Sequence, residues 1–284
     1  MRLEQIARRE GTLQSLLRFQ LGLSCGLIQR LKRQNALLVN GRARHTNETV
    51  AAGDLLTVLL DEHPSGYPPE EKELSLLYED EAVLALDKPP GVLVHPSSSR
   101  NTGTLANFLL AYYRKTGQAC GVHPLTRLDR DTFGVVLFAK NAFVQDVLMQ
   151  KGELKKIYRA RVFGAPEKES GEICAPIARC PYPSLLREIR PDGQKALTRY
   201  RVLERGESCS LLSLEPVTGR THQLRLHCQS AGFPILGDPQ YATPASAALS
   251  QKMGLTSQAL CAAALSWSDP LTGERRAVSS RQSV

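Results

Sequence analysis

Three stretches of the chain carry side chains suited to acid–base or nucleophilic work. The first is His123-Pro124-Leu125-Thr126-Arg127-Leu128-Asp129-Arg130-Asp131-Thr132-Phe133-Gly134, where carboxylates alternate with cations just ahead of the apolar run Val135–Ala139. A charged loop carried on a strand is a rigid platform for aiming a carboxylate, which can then act as nucleophile, base or general acid. The same pattern also suits surface ion pairs. The second stretch, Lys156-Ile157-Tyr158-Arg159-Ala160, adds a tyrosine and more cations. A tyrosine in an alternating strand is by itself usually packing. The third, Thr218-Gly219-Arg220-Thr221-His222-Gln223-Leu224-Arg225-Leu226-His227, places a glycine turn at the start of a helix, a setting that favours phosphate.

The elements that must hold these stretches are legible as patterns. Helices are expected over Leu13–Gln20 and Cys25–Gln34, the second capped by Ser24, and over Leu105–Tyr113, Asn141–Gln150 and His222–Ser230. Ala36–Val39 and Leu55–Leu60 read as strands, with Asn40-Gly41 as a hairpin signal. Residues 1–60 thus form a small unit of their own. Between Asp61 and Lys72, Pro64, Gly66, Pro68 and Pro69 exclude a helix or a central strand, so this stretch reads as a linker making few packing contacts. From residue 73 to 284 the runs Ala82–Asp87, Val135–Ala139, Ile157–Phe163, Leu197–Leu203 and Leu211–Leu214 alternate with few helices. No regular strand–helix–strand rhythm appears, which points to an α+β domain with a mixed, largely antiparallel central sheet flanked by helices.

Composition narrows the functional classes. The 284 residues, 42% hydrophobic, suffice for a sizeable core. Apolar runs fall far short of the ~20 residues that span a bilayer. Arg8, Arg9 and Glu10 stand where a secretory signal would need an apolar stretch. Seven scattered cysteines, none spaced C-x-x-C, indicate neither a disulfide framework nor a zinc ribbon. A reduced, cytoplasmic protein is expected, with no membrane partner. The net charge of +8 suits a polyanion. Residues 1–60 hold nine Lys or Arg against four Asp or Glu, so the surplus gathers at the N-terminal unit.

Together the three stretches resemble the RluA-like family of RNA pseudouridine synthases, and the resemblance covers nearly the whole chain. Asp87-Lys88-Pro89-Pro90-Gly91-Val92-Leu93-Val94-His95-Pro96 resembles the family's first motif, Arg127–Thr132 the second and Thr218–His227 the third, with Pro234–Asp238 and Tyr241 continuing it. Residues 1–60 are similar to the S4 RNA-binding module, in which the second helix and the loop after the Val-Asn-Gly turn face RNA.

The resemblance implies an isomerase acting on uridines of ribosomal or transfer RNA as a monomer. Such an enzyme breaks the bond between ribose C1′ and uracil N1, turns the base and rejoins it through C5, with no redox step. No cofactor, metal or nucleotide is then needed, in keeping with the lack of nucleotide-binding glycine loops. The resemblance makes Asp129 the catalytic carboxylate, as nucleophile or base, and Arg225 its ion-pair partner, which favours the charged form. Tyr158 would lie against the base with its hydroxyl near the proton leaving C5. Leu224 would pack on the base, and Arg127 would enter the space vacated by the flipped uridine. Lys88 takes a structural, pocket-lining place. His222 and His227, five apart and so on different faces of one helix, read as hydrogen-bonded structural residues rather than metal ligands. The sequence departs from the family pattern at Thr126, Phe133 and Cys261. An RNA-binding factor with a degenerate synthase domain is the rival reading. A glycoside hydrolase would need two carboxylates about 5–10 Å apart, which the adjacent Asp129 and Asp131 do not offer convincingly.

Overall fold

The computed structural model describes residues 2–60, 66–97, 100–151, 153–181, 183–184, 186–269 and 273–284. Residues 61–65, within the expected linker, lie outside that set.

The N-terminal unit runs β1 (Arg2–Ile6), β2 (Gly11–Thr12), α1 (Leu13–Phe19), α2 (Cys25–Arg33), β3 (Leu37–Val39), β4 (Arg42–Ala43), β5 (Thr49–Val50) and β6 (Leu55–Leu59). Its main sheet has the order β1-β6-β3-β4. Thr12 and Ser24 cap the two helices through side-chain oxygens, satisfying amides that have no partner within a helix.

The larger part follows with β7 (Leu76–Glu79), β8 (Val83–Lys88), α3 (Leu105–Lys115), β9 (His123–Pro124), β10 (Phe133–Ala139), α4 (Ala142–Lys151), β11 (Lys155–Phe163), β12 (Ser170–Cys174), β13 (Ile177–Arg179), β14 (Arg187–Ile189), β15 (Leu197–Glu204), β16 (Cys209–Pro216), α5 (Gln223–Ser230), α6 (Pro244–Lys252), β17 (Leu260–Ser268) and β18 (Arg275–Ser279). A single ten-stranded sheet runs β12-β15-β16-β11-β17-β10-β8-β7, with β18 on β17 and β9 on β10. Every pairing in it is antiparallel except β10 with β17. The fold is α+β around a mixed, largely antiparallel sheet.

The expected independence of the two parts meets a different packing. One apolar cluster contains Leu23, Leu27, Ile28 and Leu31 of the N-terminal unit together with Phe143, Val144, Val147 and Leu148 of α4 and with Trp267. The Asp146 carboxylate accepts the Ser24 backbone N–H, and Gln150 donates to the Gly22 carbonyl. The second half of the linker is also fastened. Asn107 donates to the Pro68 carbonyl (2.7 Å) and Glu70 accepts the Gly103 N–H (2.6 Å). The amphipathic face of α2 covers both its own sheet and α4, a choice that sequence periodicity leaves open.

A second cluster lies on the other side of the sheet, among Leu86, Leu105, Phe108, Leu128, Tyr158, Leu214 and Leu224. Residues of all three chemical stretches belong to it.

Candidate active site

The loop from Thr126 to Thr132 is pinned along its length. At its start Thr126 is buried, and its hydroxyl accepts the Leu137 N–H at 3.0 Å. This gives the threonine a defined structural use at a position where the sequence departs from the family pattern. At its end the Thr132 hydroxyl accepts a short bond from the buried Gln258 amide. Between them Lys88, fully buried at the end of β8, donates to the carbonyls of Arg130 (2.7 Å), Val92 (2.7 Å) and Pro89 (3.0 Å). Burial pulls the amine down to about 8, against the opposing charges of Asp131 and Asp129. Lys88 therefore ties the first motif to the second, deepening the structural place expected of it.

Gly134 leaves this loop with φ +104°, and a Cβ there would stand 2.4 Å from the Ala262 carbonyl oxygen. Only glycine allows β10 to approach β17 so closely. The neighbouring Phe133 is buried, so the aromatic departure packs inward. Close by, the register of β11 on β17 shifts between Ile157 and Arg159, an irregularity of the kind that re-aims a side chain. Tyr158, at that point, is buried while Arg159 is exposed. Burial raises the phenol above its ordinary value and the charge of Asp129 adds to this.

Arg225, in the first turn of α5, is the centre of the charge network. Its Nε and Nη2 donate to the two oxygens of Asp238 at 2.7 and 2.8 Å, Nη2 also donates to Gln240 at 2.8 Å, and Nη1 donates to Asp129 Oδ2 at 3.0 Å. The guanidinium also stacks 5.1 Å from the centre of the Tyr241 ring. Burial works against its charge, but Asp238 and then Asp129 outweigh that and raise its pKa. Asp238 is held by the backbone N–H groups of Gln240 and Tyr241. The side chains of Arg225 and Asp238 are 6% and 1% exposed, whereas that of Asp129 is 30% exposed. One carboxylate is thus sealed in and the other opens outward.

The structure brings Asp129, Arg225 and Tyr158 together. Leu224 is buried in the same apolar cluster as Tyr158 and Leu128. Arg127 projects into solvent. Lys156 has its amine lowered by burial and then by the nearby charge of Arg127.

One expectation needs correction. His222 is not in the helix. It stands before Gln223 in a left-handed conformation with φ +57°, so an argument from helix faces does not apply to it. His227 is a buried structural residue bonded to Thr198 (2.9 Å) and the Ala175 carbonyl (3.0 Å). At the glycine turn Gln223 Oε1 accepts the Thr218 hydroxyl (2.8 Å) and the Arg220 N–H (3.0 Å).

The sequence pattern described as RNA pseudouridylate synthase matches residues 82–230, from β8 to the end of α5. The chain belongs to the RNA pseudouridylate synthase family. It is 36% identical over 261 residues to the RNA pseudouridine synthase YjbO of Bacillus subtilis (strain 168), covering 90% of each chain. It is 34% identical to the ribosomal large subunit pseudouridine synthase D of Neisseria meningitidis serogroup A, covering 75% of this chain and 58% of that one. Its fold is like that of human RNA pseudouridylate synthase domain containing 1, with a TM-score of 0.61 and 24% identity over 76% of this chain and 86% of the other. The protein is an isomerase that converts RNA uridine to pseudouridine.

In the synthase, the arrangement offers a partly exposed carboxylate, a buried cation against it and a buried ring and leucine nearby. That suits a reaction at a sugar carbon with a base held against an apolar wall. Asp238, Gln240 and the pairing of His222 with Tyr241 were not assigned roles from sequence. Asp238 and Tyr241 were marked in the sequence only as continuing the family resemblance, and Gly237 beside them has φ +71° with a Cβ position 2.1 Å from the Ser257 carbonyl oxygen, a close approach that residue type does not reveal.

Proposed function

We propose that this synthase modifies chosen uridines of structured ribosomal or transfer RNA, with Asp129 as the reacting carboxylate. The observation that carries this is the ion pair of Arg225 with Asp129 at 3.0 Å, beside the buried Tyr158. The guanidinium favours the ionised carboxylate, and the exposed side of Asp129 faces incoming nucleotide. Asp129 then either attacks ribose C1′ or takes a ribose proton as the C1′–N1 bond breaks. The freed uracil turns, rejoins through C5 and loses its C5 proton. Tyr158 stacks on the base and Leu224 packs against it. Because burial and Asp129 hold the Tyr158 phenol protonated, its hydroxyl acts as a hydrogen-bonding relay rather than as a phenolate. Arg127, which is exposed, fills the gap left in the RNA stack.

The relative named as a ribosomal large subunit synthase supports ribosomal RNA as one substrate class. The basic N-terminal unit supports an extended RNA contact, since α2 ends in the exposed Arg30, Lys32 and Arg33. We assign residues 1–60 as an S4-like RNA-binding module, 61–72 as linker and 73–284 as the catalytic domain, in a monomer working in the cytoplasm.

The test is to map pseudouridine in ribosomal and transfer RNA from cells lacking the protein, then from the same cells supplied with wild type or Asp129→Asn. Sites lost on deletion should return with wild type and stay absent with Asp129→Asn, which changes charge but little volume. Restoration by Asp129→Asn would refute the assigned role.

A further inference from the structure

His222 stands against the reacting carboxylate through contacts that the ion pair with Arg225 does not need. Its Nε2 lies 3.8 Å from Asp129 Oδ2, and its Nδ1 lies 2.9 Å from the Tyr241 hydroxyl. That hydroxyl already accepts the Arg187 backbone N–H at 3.0 Å. A phenol has one hydrogen, and among the described residues Nδ1 is the acceptor within its reach. With that O–H donating to Nδ1, the neutral ring carries its proton on Nε2, facing Asp129. His222 is also held in a left-handed conformation at φ +57°. Strained backbone of this kind persists where the surroundings over-determine it, often at functional sites.

We propose that His222 is a positioning residue: fixed by Tyr241 as the Nε2–H tautomer, it joins Arg225 on Asp129 Oδ2 and leaves Oδ1 as the oxygen that meets the ribose. This rests on Asp129 being the reacting group. Among the described residues the two nitrogens converge on Oδ2 and no donor reaches Oδ1. The 3.8 Å separation is longer than a hydrogen bond, and it closes when substrate settles the carboxylate, as catalytic contacts commonly tighten on binding. Neutrality is supported by the surroundings. Burial lowers the imidazole pKa, Asp129 opposes that, Arg225 and Arg187 add to the lowering, and Asp238 opposes it again. A neutral donor orients Oδ2 without adding a second full positive charge beside a carboxylate that must react.

The experiment measures single-turnover release of tritium from uracil C5, using bulk RNA from cells lacking the protein and saturating enzyme, from about pH 5.5 to 8.5. His222→Asn keeps a residue that tolerates the left-handed backbone, so folding should survive, as thermal unfolding would verify. Its rate should fall roughly 10- to 100-fold, the worth of one hydrogen bond to a charged group. Tyr241→Phe keeps the ring under Arg225 but removes the O–H, freeing Nδ1 to take a proton. Its rate should gain an acid limb, falling about tenfold where His222 becomes charged, on the acid side of the ordinary histidine range because burial, Arg225 and Arg187 still lower the imidazole. Wild type should lack that limb, and so should the double variant Tyr241→Phe/His222→Asn. A limb that persists in the double variant, no limb in Tyr241→Phe, or a His222→Asn rate within twofold of wild type would each overturn the proposal. Asp129→Asn runs alongside. If it remains active, the role of Asp129 itself falls, whereas an inactive Asp129→Asn beside a normal His222→Asn removes only the part given to His222.

Discussion

Asp238 and Asp129 share one guanidinium, and the structure gives them opposite duties that Asp238→Asn and Asp129→Asn should separate. Asp238 Oδ1 accepts Arg225 Nη2 and two backbone N–H groups, and Oδ2 accepts Nε. An asparagine must place its NH₂ at one of those positions, most easily at that of Oδ2, where it would face another donor. Both partners are nearly sealed from solvent, so screening by water offers little relief and an under-compensated buried cation remains. Breaking a buried pair in this way costs about 3–5 kcal/mol. At roughly 2–3 °C per kcal/mol for a chain of this size, Tm should fall by about 6–15 °C. Asp129 makes a single contact to Arg225 and is 30% exposed, so Asp129→Asn should cost at most about 1 kcal/mol. Its Tm should stay within roughly 3 °C of wild type while isomerisation is lost. Calorimetry or circular dichroism of the purified variants decides the matter. Equal melting of all three proteins would refute the view that Asp238 balances a buried charge. An Asp129→Asn as unstable as Asp238→Asn would make Asp129 structural.

Tyr158→Phe should bind RNA as wild type does yet turn over on the order of 10²-fold more slowly, since the ring survives and the hydroxyl is lost; equal single-turnover rates would reduce Tyr158 to stacking. Lys88 is lowered to about 8 by burial, so the unfolded chain binds more protons than the folded one between about pH 8 and the ordinary lysine value near 10.4. Stability should therefore rise across that window relative to Lys88→Met by about 3 kcal/mol, measured by denaturant unfolding at several pH values, and parallel curves for the two proteins would contradict the buried amine. Replacing Arg30, Lys32 and Arg33 together with alanine should flatten the slope of log affinity against log salt by about 0.7–0.9 for each phosphate contact removed; an unchanged slope would show that α2 does not touch RNA phosphates. Removing residues 1–60 is a poorer test, because it strips Leu23, Leu27, Ile28 and Leu31 from Phe143, Val147 and Leu148. The truncated chain should aggregate or melt well below the intact one, and a truncated chain that melts like wild type would show that this shared core contributes little.

The elements that sequence revealed were those whose local pattern matched their tertiary use. The run Val135–Ala139 is apolar on both faces because β10 is covered on both, and Ser24 announces α2 through a bond three residues away. The elements it hid depend on distant partners. β1 is the polar-looking Arg-Leu-Glu-Gln-Ile, made a strand by pairing with β6. β17 contains three consecutive alanines that favour helix, yet lies between β11 and β10 at the irregularity beside Tyr158. The site divides in the same way. That Asp129, Arg225 and Tyr158 would lie together was legible through the family resemblance, whereas residue types alone left the loop open to a reading as surface ion pairs and the tyrosine to one as packing. What could not be named was which atoms of these side chains meet. Which oxygen of Asp129 is engaged follows from Arg225, 96 positions away. What lies against His222 Nδ1 is Tyr241, 19 positions away, with the Arg187 backbone behind it. A carboxylate becomes a directed reagent only when one oxygen is occupied and the other left free, and that asymmetry exists in the folded chain alone.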